Sequence, residues 1–434
     1  MGDNNNRARD GHVPGSVFFA LIIVLSPILG QYASVIPGLS IVDIFLGICC
    51  IVLLILNRKY RLNRLNTKPL VIFWFYAIFI SMFSFLLQQS LNLIVLTRII
   101  RTSFFIFIIL LTHNNVNQKV LFKAYKTVSL FAAIYIIAQV IVYNIFGVLL
   151  PFKLLPMPWM DGRIFGTTEA IQWAQRWYLR PSAFFLEPGY AAQYLLPALV
   201  FALFGWFSDE QKFDLKYVAL IFTALALTTS SQGLHIGVII ISLYFMGYIS
   251  KKGSYLSIIK NAIIFVTFII GFLFLINTDF FNNSISYIIG NSTAGGSTAF
   301  RLLRGPAVYN KLPILYKVIG VGHGNIGEFV LRNGIYTKYD PSIMELIAAD
   351  YVNGISAVLI YYGILGLVLW GIFIFKLWHK TAITGRYIIV TFIILTFVSS
   401  TFISYTTILY VALIYSSSQL RNLTNYGKFI NGHE

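Results

Sequence analysis

The chain has 434 residues, of which 58% are hydrophobic and only 11% are charged, and its formal net charge is +17. A soluble domain of this length would carry about 25% charged residues, so the composition excludes an ordinary water-soluble protein. The excess of cations would suit nucleic-acid binding, but most of them lie in short connectors between apolar segments, where they are typical topology signals. We therefore expect no nucleic-acid partner.

Long apolar runs predict an all-α polytopic membrane protein with about 12 transmembrane helices, because about 20 apolar residues cross a bilayer. A membrane β-barrel would show short alternating segments instead. In this interpretation residues 1–434 form a single multi-span membrane domain. The predicted spans are residues 16–30, 37–56, 70–87, 94–112, 127–147, 185–205, 216–230, 233–249, 258–276, 353–375, 386–402 and 404–418.

The connectors alternate in charge. Those after the second, fourth, eighth and tenth spans contain clusters of Lys and Arg, whereas QYASVIPG, LLQQSLN and TTSSQG contain none. Because basic connectors stay in the cytoplasm, both termini are predicted to be cytoplasmic. The two long connectors, residues 148–184 and 277–352, then face the opposite side and carry most of the conspicuous arginines and acids.

Each long connector predicts a helix. In the first, TEAIQWAQRWYL has a helical period, and the nearby Trp159, Trp173 and Trp177 suit the lipid headgroup region, so we expect a helix lying along the membrane surface. In the second, a helix capped near residues 297–298 would place Arg301 and Arg304 on one face, three residues apart.

Arg180 and Glu187 lie where the chain enters the sixth span, in WYLRPSAFFLEPGYAAQYLLPAL. Charges at this depth are unfavourable unless they are paired or liganded. In the functional interpretation, Arg180 binds an anionic group and Glu187 orients or deprotonates a hydroxyl. In the alternative, the two residues simply anchor the span at the interface. The Pro-Gly pair after Glu187 also leaves backbone N–H groups exposed at the start of a helix, which favours anion binding.

This segment carries a resemblance. The pattern Arg-x-Ser-x-Phe-x-x-Glu-Pro, followed by an Ala-rich helix, resembles the signature of the Wzy-type O-antigen polymerases, within the O-antigen polymerase/ligase superfamily. The number of spans and the positions of the two long connectors are similar too. LALTTSSQGL (225–234) is similar to a Thr/Ser-rich turn of the family, although Gln232 stands where an Arg is usual. GVGHG (320–324) matches a Gly-x-Gly pattern near the end of the large loop.

The resemblance implies that the long connectors are periplasmic, and that Arg180 acts with Arg301 and Arg304 on the pyrophosphate of a polyprenyl-linked sugar. Fixed cations stabilise the charge that develops on such a leaving group, and arginine offers planar, bidentate donors that suit phosphate. A solvated helix face is the alternative for Arg301 and Arg304. Arg98 and Arg101, near the outer end of the fourth span, are predicted to support phosphate binding or to anchor the helix.

Three residues are candidate proton acceptors. Glu187 is the first choice and Asp350 the second, because Asp350 lies near the position where the related ligases keep a histidine. His323, between two glycines, is the third, although a lone loop histidine is more often structural. The chain has no GxxxxGK[ST], no Asp-x-Asp pair and no His-Glu-x-x-His motif, so we expect neither a metal nor another cofactor.

Together these patterns predict a metal-independent membrane glycosyltransferase of the bacterial inner membrane. It would polymerise undecaprenyl-pyrophosphate-linked oligosaccharide repeat units into O-antigen, capsule or exopolysaccharide at the periplasmic face. Its partners would be lipid-linked glycans and membrane lipid, with a chain-length regulator as a further candidate. Two alternatives remain. One is a ligase of the same superfamily, which the missing histidine disfavours. The other is a lipid-linked oligosaccharide flippase, disfavoured because nearly all charge lies at span ends.

Overall fold

A computed structural model describes residues 15–36, 38–56, 64–88, 93–160, 179–205, 214–249, 297–324, 326–337, 339–340 and 352–430. Regular structure in these ranges is helical, apart from two isolated β-bridges. In chain order the helices are α1 (Ser16–Leu29), α2 (Ile41–Leu56), α3 (Arg64–Gln88), α4 (Leu93–Asn115), α5 (Gln118–Phe146), α6 (Pro188–Phe204), α7 (Leu215–Leu227), α8 (Ser231–Ile249), α9 (Ser297–Lys311), α10 (Ile314–Ile319), α11 (Ile326–Arg332), α12 (Gly354–Lys380), α13 (Ile383–Val398) and α14 (Tyr405–Ile430).

The prediction of an all-helical fold is confirmed for the described residues, and its apolar helices support a membrane protein, whereas the number of about 12 spans stays a prediction. Four helical segments, in α3, α4, α5 and α12, are long and apolar enough to cross a membrane, and seven other helices contain shorter apolar segments of 10–17 residues. Large apolar side chains such as Phe75 and Phe79 are 65% and 63% exposed on the outside of the bundle, as expected for a surface that faces lipid. The predicted span at 258–276 lies outside the described residues.

Several helices extend beyond the predicted spans, and α5 and α14 do so by the most residues. Helix α5 begins at Gln118 rather than near residue 127, because the Asn117 side chain accepts a hydrogen bond from the Val120 amide at 3.1 Å and caps the helix. The lysines predicted to lie in that connector therefore lie on α5. Helix α14 continues to Ile430, well past the predicted end at residue 418. Lysine, arginine and glutamine are good helix formers, so hydropathy alone underestimates both helices.

Helix α6 lies at the centre of the bundle. All of its residues from Ala191 to Phe204 are buried, and it packs against α5, α7, α8 and α13. Pro197 has no N–H and so leaves the Gln193 carbonyl without its usual helical donor. The Tyr410 hydroxyl on α14 donates to that carbonyl at 2.8 Å. This central helix is therefore fixed directly below the segment that contains Arg180 and Glu187.

One end of the bundle collects the described parts of both long connectors. We call it the loop end: the end at which α1, α3 and α5 finish and α2, α4 and α6 begin. There the Ala33 amide donates to the Pro158 carbonyl at 2.9 Å, and the Leu186 amide donates to Gln31 Oε1. The Arg98 guanidinium donates to the Gly324 carbonyl at 3.1 Å. The charge alternation predicts that the α1–α2 connector and the two long connectors lie on the same side of the membrane. The first of these contacts the first long connector, and the second long connector contacts α4 at the same end of the bundle.

Trp159 is not at a lipid-facing position, contrary to expectation. Its ring stacks on that of Tyr32 with the centroids 4.9 Å apart, and only 8% of the residue is exposed. The Lys153 ammonium lies over the indole, 5.3 Å from its centroid. Burial on a tyrosine removes more apolar area from water than an interfacial position would. The predicted surface helix, with Trp173 and Trp177, lies outside the described residues.

Helix α12 is broken at its tenth residue. Gly363 has a φ of +65° and a ψ of −171°, and the helix bends there. The break frees the carbonyls of residues 360–362. The Val321 and Gly322 amides donate to the first two at 2.8 and 2.9 Å, and the Tyr76 hydroxyl donates to the third at 3.1 Å. The GVGHG loop therefore satisfies the backbone groups that the break exposes.

We expect Gly363→Ala to destabilise the protein by at least about 2 kcal/mol, because a non-glycine residue is strained at positive φ and its Cβ would lie 2.1 Å from the Val318 carbonyl oxygen. Gly371→Ala is the matched control on the same helix, since a Cβ there meets nothing within 4 Å. Thermal unfolding in detergent measures both. Equal melting temperatures for the two variants would contradict this account of the break.

Candidate functional site

Arg180 joins the two segments that carry the family resemblance. Its Nε donates to the Thr229 hydroxyl at 3.2 Å, in the turn between α7 and α8. Thr229 has a φ of +51°, which is uncommon for a residue other than glycine. Arg180 as a whole residue is half-buried, so this contact orients its guanidinium in a residue that is not fully buried. The resemblance drew attention to both segments, but the sequence did not predict that they touch.

Two glutamines hold the segment around Arg180. The side chain of Gln139 on α5 accepts from the Ala183 amide at 2.9 Å and donates to the Ala183 carbonyl at 3.1 Å. Ala183 itself has a φ of +51°. Gln31, at the end of α1, accepts from the Leu186 amide. Gln139 could have been noticed in the sequence, because it is a lone amide in an apolar run. Its partner, the backbone of Ala183, could not have been predicted from the sequence.

Glu187 forms the N-cap of α6. Its side chain makes no capping hydrogen bond, and Pro188 follows at the first helical position. Within the described residues its carboxylate has no hydrogen-bond or ion-pair partner and is half-buried. A carboxylate is favoured at the positive end of a helix dipole. The structure therefore presents Glu187 as an acceptor that can take a hydrogen bond from a ligand.

Arg101 is held by a network that the sequence analysis missed. Its Nη2 donates to the Tyr405 hydroxyl at 3.0 Å and lies 3.6 Å from Asp43 Oδ2. The Tyr405 hydroxyl in turn donates to Asp43 Oδ1 at 2.6 Å. The Asp43 side chain is 4% exposed, whereas that of Arg101 is 37% exposed. A buried carboxylate thus fixes an arginine whose own surface remains accessible.

The Arg101 network adjoins Glu187. The Tyr405 ring lies against Gly30, where an added Cβ would be 2.3 Å from the ring. The next residue, Gln31, accepts a hydrogen bond from the amide of Leu186, which immediately precedes Glu187. Through these contacts and the chain neighbours between them, an accessible arginine is connected with Glu187, whose carboxylate has no partner in the part of the chain that the structure describes.

His323 lies inside a cluster of hydroxyl groups. Its Nε2 is 2.8 Å from the Thr102 hydroxyl and its Nδ1 is 3.0 Å from the Tyr362 hydroxyl. The Ser81 hydroxyl accepts from its backbone amide at 3.0 Å. Burial, together with the positive charge of Arg98, lowers the pKa of His323 from 6.5 to about 3. The imidazole is therefore neutral at physiological pH, and both of its nitrogens are already occupied.

This neutral histidine predicts a pH dependence of stability. Its pKa is lower in the folded chain than in the unfolded chain, so its contribution is fully present above about pH 6.5 and is lost progressively toward pH 3. Lowering the pH from 6.5 to 5 should cost up to about 2 kcal/mol. His323→Gln should remove this slope from the thermal unfolding profile, whereas the same change at the exposed His235 should preserve it. An unchanged slope in His323→Gln would rule out His323 as the source.

Arg304 is paired, contrary to the expectation of a free phosphate-binding face. It is fully buried, and its Nε donates to Asp340 Oδ1 at 2.7 Å. The other oxygen of Asp340 accepts from the Thr337 amide. The predicted helix beginning near Ser297 is confirmed as α9. Asp340, 36 residues away in the chain, had not been identified as a partner because no sequence pattern links the two positions.

The predicted site residues thus fall into groups. Arg180 and Glu187 lie in one segment, which continues into the Arg101 network. Arg98 lies beside His323, because the Arg98 side chain packs on Gly324. Arg304 lies with Asp340 beneath α9. The other predicted residues, the Arg301 side chain and all of Asp350, lie outside what the structure describes.

A comparison with protein-family models finds no family that matches the chain, and a comparison with characterised proteins finds no similar sequence.

Proposed function

We propose that this protein is a polysaccharide polymerase of the bacterial inner membrane, which joins undecaprenyl-pyrophosphate-linked repeat units at the periplasmic face. In this proposal the chain crosses the membrane about twelve times with both termini in the cytoplasm, and the loop end faces the periplasm. The enzyme needs no metal or nucleotide, because the substrate is itself activated. The Wzy-type motif in residues 180–188 is the basis for this class of reaction.

One observation carries the proposal: accessible arginines occupy the same end of the bundle as the Glu187 carboxylate, which has no partner among the described residues. Arg180 is oriented by Thr229, Arg101 is oriented by Asp43 and Tyr405, and Glu187 lies between them along the chain of contacts through Gln31. Cations for a leaving diphosphate and an acceptor for a hydroxyl proton are the two requirements of this reaction.

The reaction follows from this arrangement. A hydroxyl of the acceptor sugar attacks the anomeric carbon of the donor, and the bond between that carbon and the pyrophosphate oxygen breaks. Glu187 takes the hydroxyl proton, and Arg180, with Arg98 and Arg101, stabilises the departing undecaprenyl pyrophosphate. We assign Arg304 to holding α9 in place through Asp340, since its charge is already balanced. His323 supports the loop beside Arg98 rather than acting as a base.

A flippase is the second candidate, on one observation. Transporters often contain broken helices near a binding site, and α12 is broken at Gly363. However, loop residues and Tyr76 already occupy the carbonyls that this break exposes. A ligase of the same superfamily would use similar groups but transfer finished glycan to a different acceptor.

Reconstitution of the purified protein tests the assignment. Proteoliposomes would receive lipid-linked repeat units extracted from a strain that lacks this gene, without ATP or added metal. A polymerase yields a ladder of longer glycans and releases undecaprenyl pyrophosphate. A flippase moves the substrate across the bilayer with no change in glycan length, and a ligase requires a lipid or protein acceptor. Either of the last two results would contradict the proposal.

A further inference from the structure

Helix α10, in the second long connector, presents apolar side chains on the outside of the bundle. Ile314, Leu315 and Val318 are 76%, 54% and 39% exposed. They are three or four residues apart or adjacent, so they share one side of the helix, and we call them the α10 face. The rest of α10 packs on α12. Contiguous exposed apolar residues usually mark a contact with lipid or with another protein, and the depth of α10 in the bundle indicates which.

The end of α10 lies deep beside two long apolar helices. The Tyr76 hydroxyl on α3 donates to the Ile319 carbonyl at 3.0 Å, and Tyr76 lies in the middle of the apolar segment Thr67–Ser84. On α12, Gly363 lies directly against the Val318 carbonyl and is about four residues, or about 6 Å, from the midpoint of that helix. In a membrane crossed by both helices this position is inside the hydrocarbon layer, whose half-thickness is about 15 Å.

The chain reaches this depth and returns to the level from which it came. Before α10, Gly305 on α9 lies directly against the Ser356 side chain, in the first turn of α12. After α11, Asp340 pairs with Arg304, the residue next to Gly305. Between these two points the chain passes the level of Tyr76. The connector therefore enters and leaves the bundle at the loop end, as a re-entrant segment does.

The irregular part of this segment is buried, as a membrane environment requires. Unpaired backbone groups are very unfavourable in hydrocarbon, so non-helical backbone is tolerated at that depth only inside the protein. Gly320 and Val321 are buried. The Val321 amide donates to the Ile360 carbonyl at 2.8 Å, and the Val321 carbonyl accepts from the Ser84 hydroxyl. The outward surface is formed instead by the apolar side chains of α10.

We propose that the second long connector re-enters the membrane and that the α10 face binds the acyl chains of the leaflet on the side of the loop end. Ile314 and Val318 are four residues apart, or about 6 Å, so the whole face lies within about 12 Å of the midplane. Ile364 and Leu365, which follow Gly363 on α12, are exposed as well, so further lipid-facing surface adjoins the face. The inference requires only that α3 and α12 cross the membrane, and it does not depend on the proposed reaction.

Spin labels on single introduced cysteines test the contact in the purified full-length protein, reconstituted in phosphatidylcholine vesicles. Leu315→Cys and Val318→Cys carry the nitroxide on the α10 face. Phe79→Cys, at an exposed apolar position of α3, is the control for lipid. Asn333→Cys, at an exposed polar position of the same connector, is the control for water. Wild-type protein gives the blank, since both of its cysteines are buried.

We expect the labels on the α10 face to collide with oxygen as often as the Phe79→Cys label does. Their collision rate with a polar nickel chelate in the buffer should be at least about tenfold lower than that of the Asn333→Cys label, because hydrocarbon excludes polar solutes. If Leu315→Cys fails to fold, Val318→Cys decides. A nickel collision rate equal to that of Asn333→Cys would place the face in water and overturn the proposal. Low rates with both reagents would show that protein covers the face, which would overturn it equally.

Discussion

Arg180→Ala is expected to lower the rate of polymer formation by roughly 10²–10³-fold, the usual effect of removing one donor that stabilises transition-state charge. The half-buried Arg180 is oriented by Thr229 and lies seven residues before Glu187, for whose carboxylate the described residues provide no partner. Its loss removes a cation where the diphosphate departs. The measurement is the glycan ladder in cells and the initial rate in proteoliposomes, at equal amounts of inserted protein.

Two further variants sharpen this prediction. Arg180→Lys keeps the charge but loses the planar, bidentate geometry, so its rate should lie between those of the alanine variant and wild type. Arg332→Ala removes an exposed cation of α11 in the second connector and should leave the rate unchanged. If Arg180→Ala produced a glycan ladder of normal length and amount, Arg180 would not be the residue that stabilises the departing diphosphate. The sequence predicts the same phenotype for Arg301→Ala.

Arg304→Met is expected to destabilise the protein by about 3–5 kcal/mol, because it leaves the carboxylate of Asp340 buried without its cation. The two side chains are 0% and 5% exposed, and the Nε–Oδ1 distance is 2.7 Å. The expected result is a large fall in the temperature of thermal unfolding in detergent. Arg332→Met, at an exposed position, should change the free energy of unfolding by no more than about 0.5 kcal/mol.

The double variant Arg304→Met/Asp340→Asn separates the ion pair from simple packing. Asparagine keeps an acceptor for the Thr337 amide, which bonds to Asp340, and no charge remains buried. We therefore expect the double variant to be more stable than Arg304→Met alone. Additive losses in the two single variants would show that the pair does not couple, and Arg304 would then be free for a phosphate-binding role.

Hydropathy predicted most of the helices because a membrane imposes a minimum apolar length on each one. It placed the helices around the loop end and singled out Arg180 and Glu187 as charges at an unfavourable depth. It underestimated α5 and α14, whose polar ends are helical through capping and intrinsic propensity. It also placed Trp159 among lipid headgroups, because composition does not reveal that Tyr32 is its neighbour.

The ion-pair and hydrogen-bond partners of Arg101 and Arg304 could not be predicted from the sequence. Asp43 and Tyr405, which orient Arg101, are 362 residues apart. Asp340, the partner of Arg304, lies 36 residues away in a connector with no regular pattern. Such contacts depend on how the helices are arranged relative to one another. No local periodicity encodes that arrangement.

A helical membrane protein could be predicted from the amino-acid sequence, since apolar length and composition are properties of each segment alone. The sequence also identified the arginines and acids that lie at the helix ends. Which of these charges are neutralised by a buried partner, and which remain accessible, is known from the folded arrangement of the helices. A charge is available to a ligand only where the surrounding helices leave it incompletely paired, and pairing is set by contacts between residues far apart in the chain.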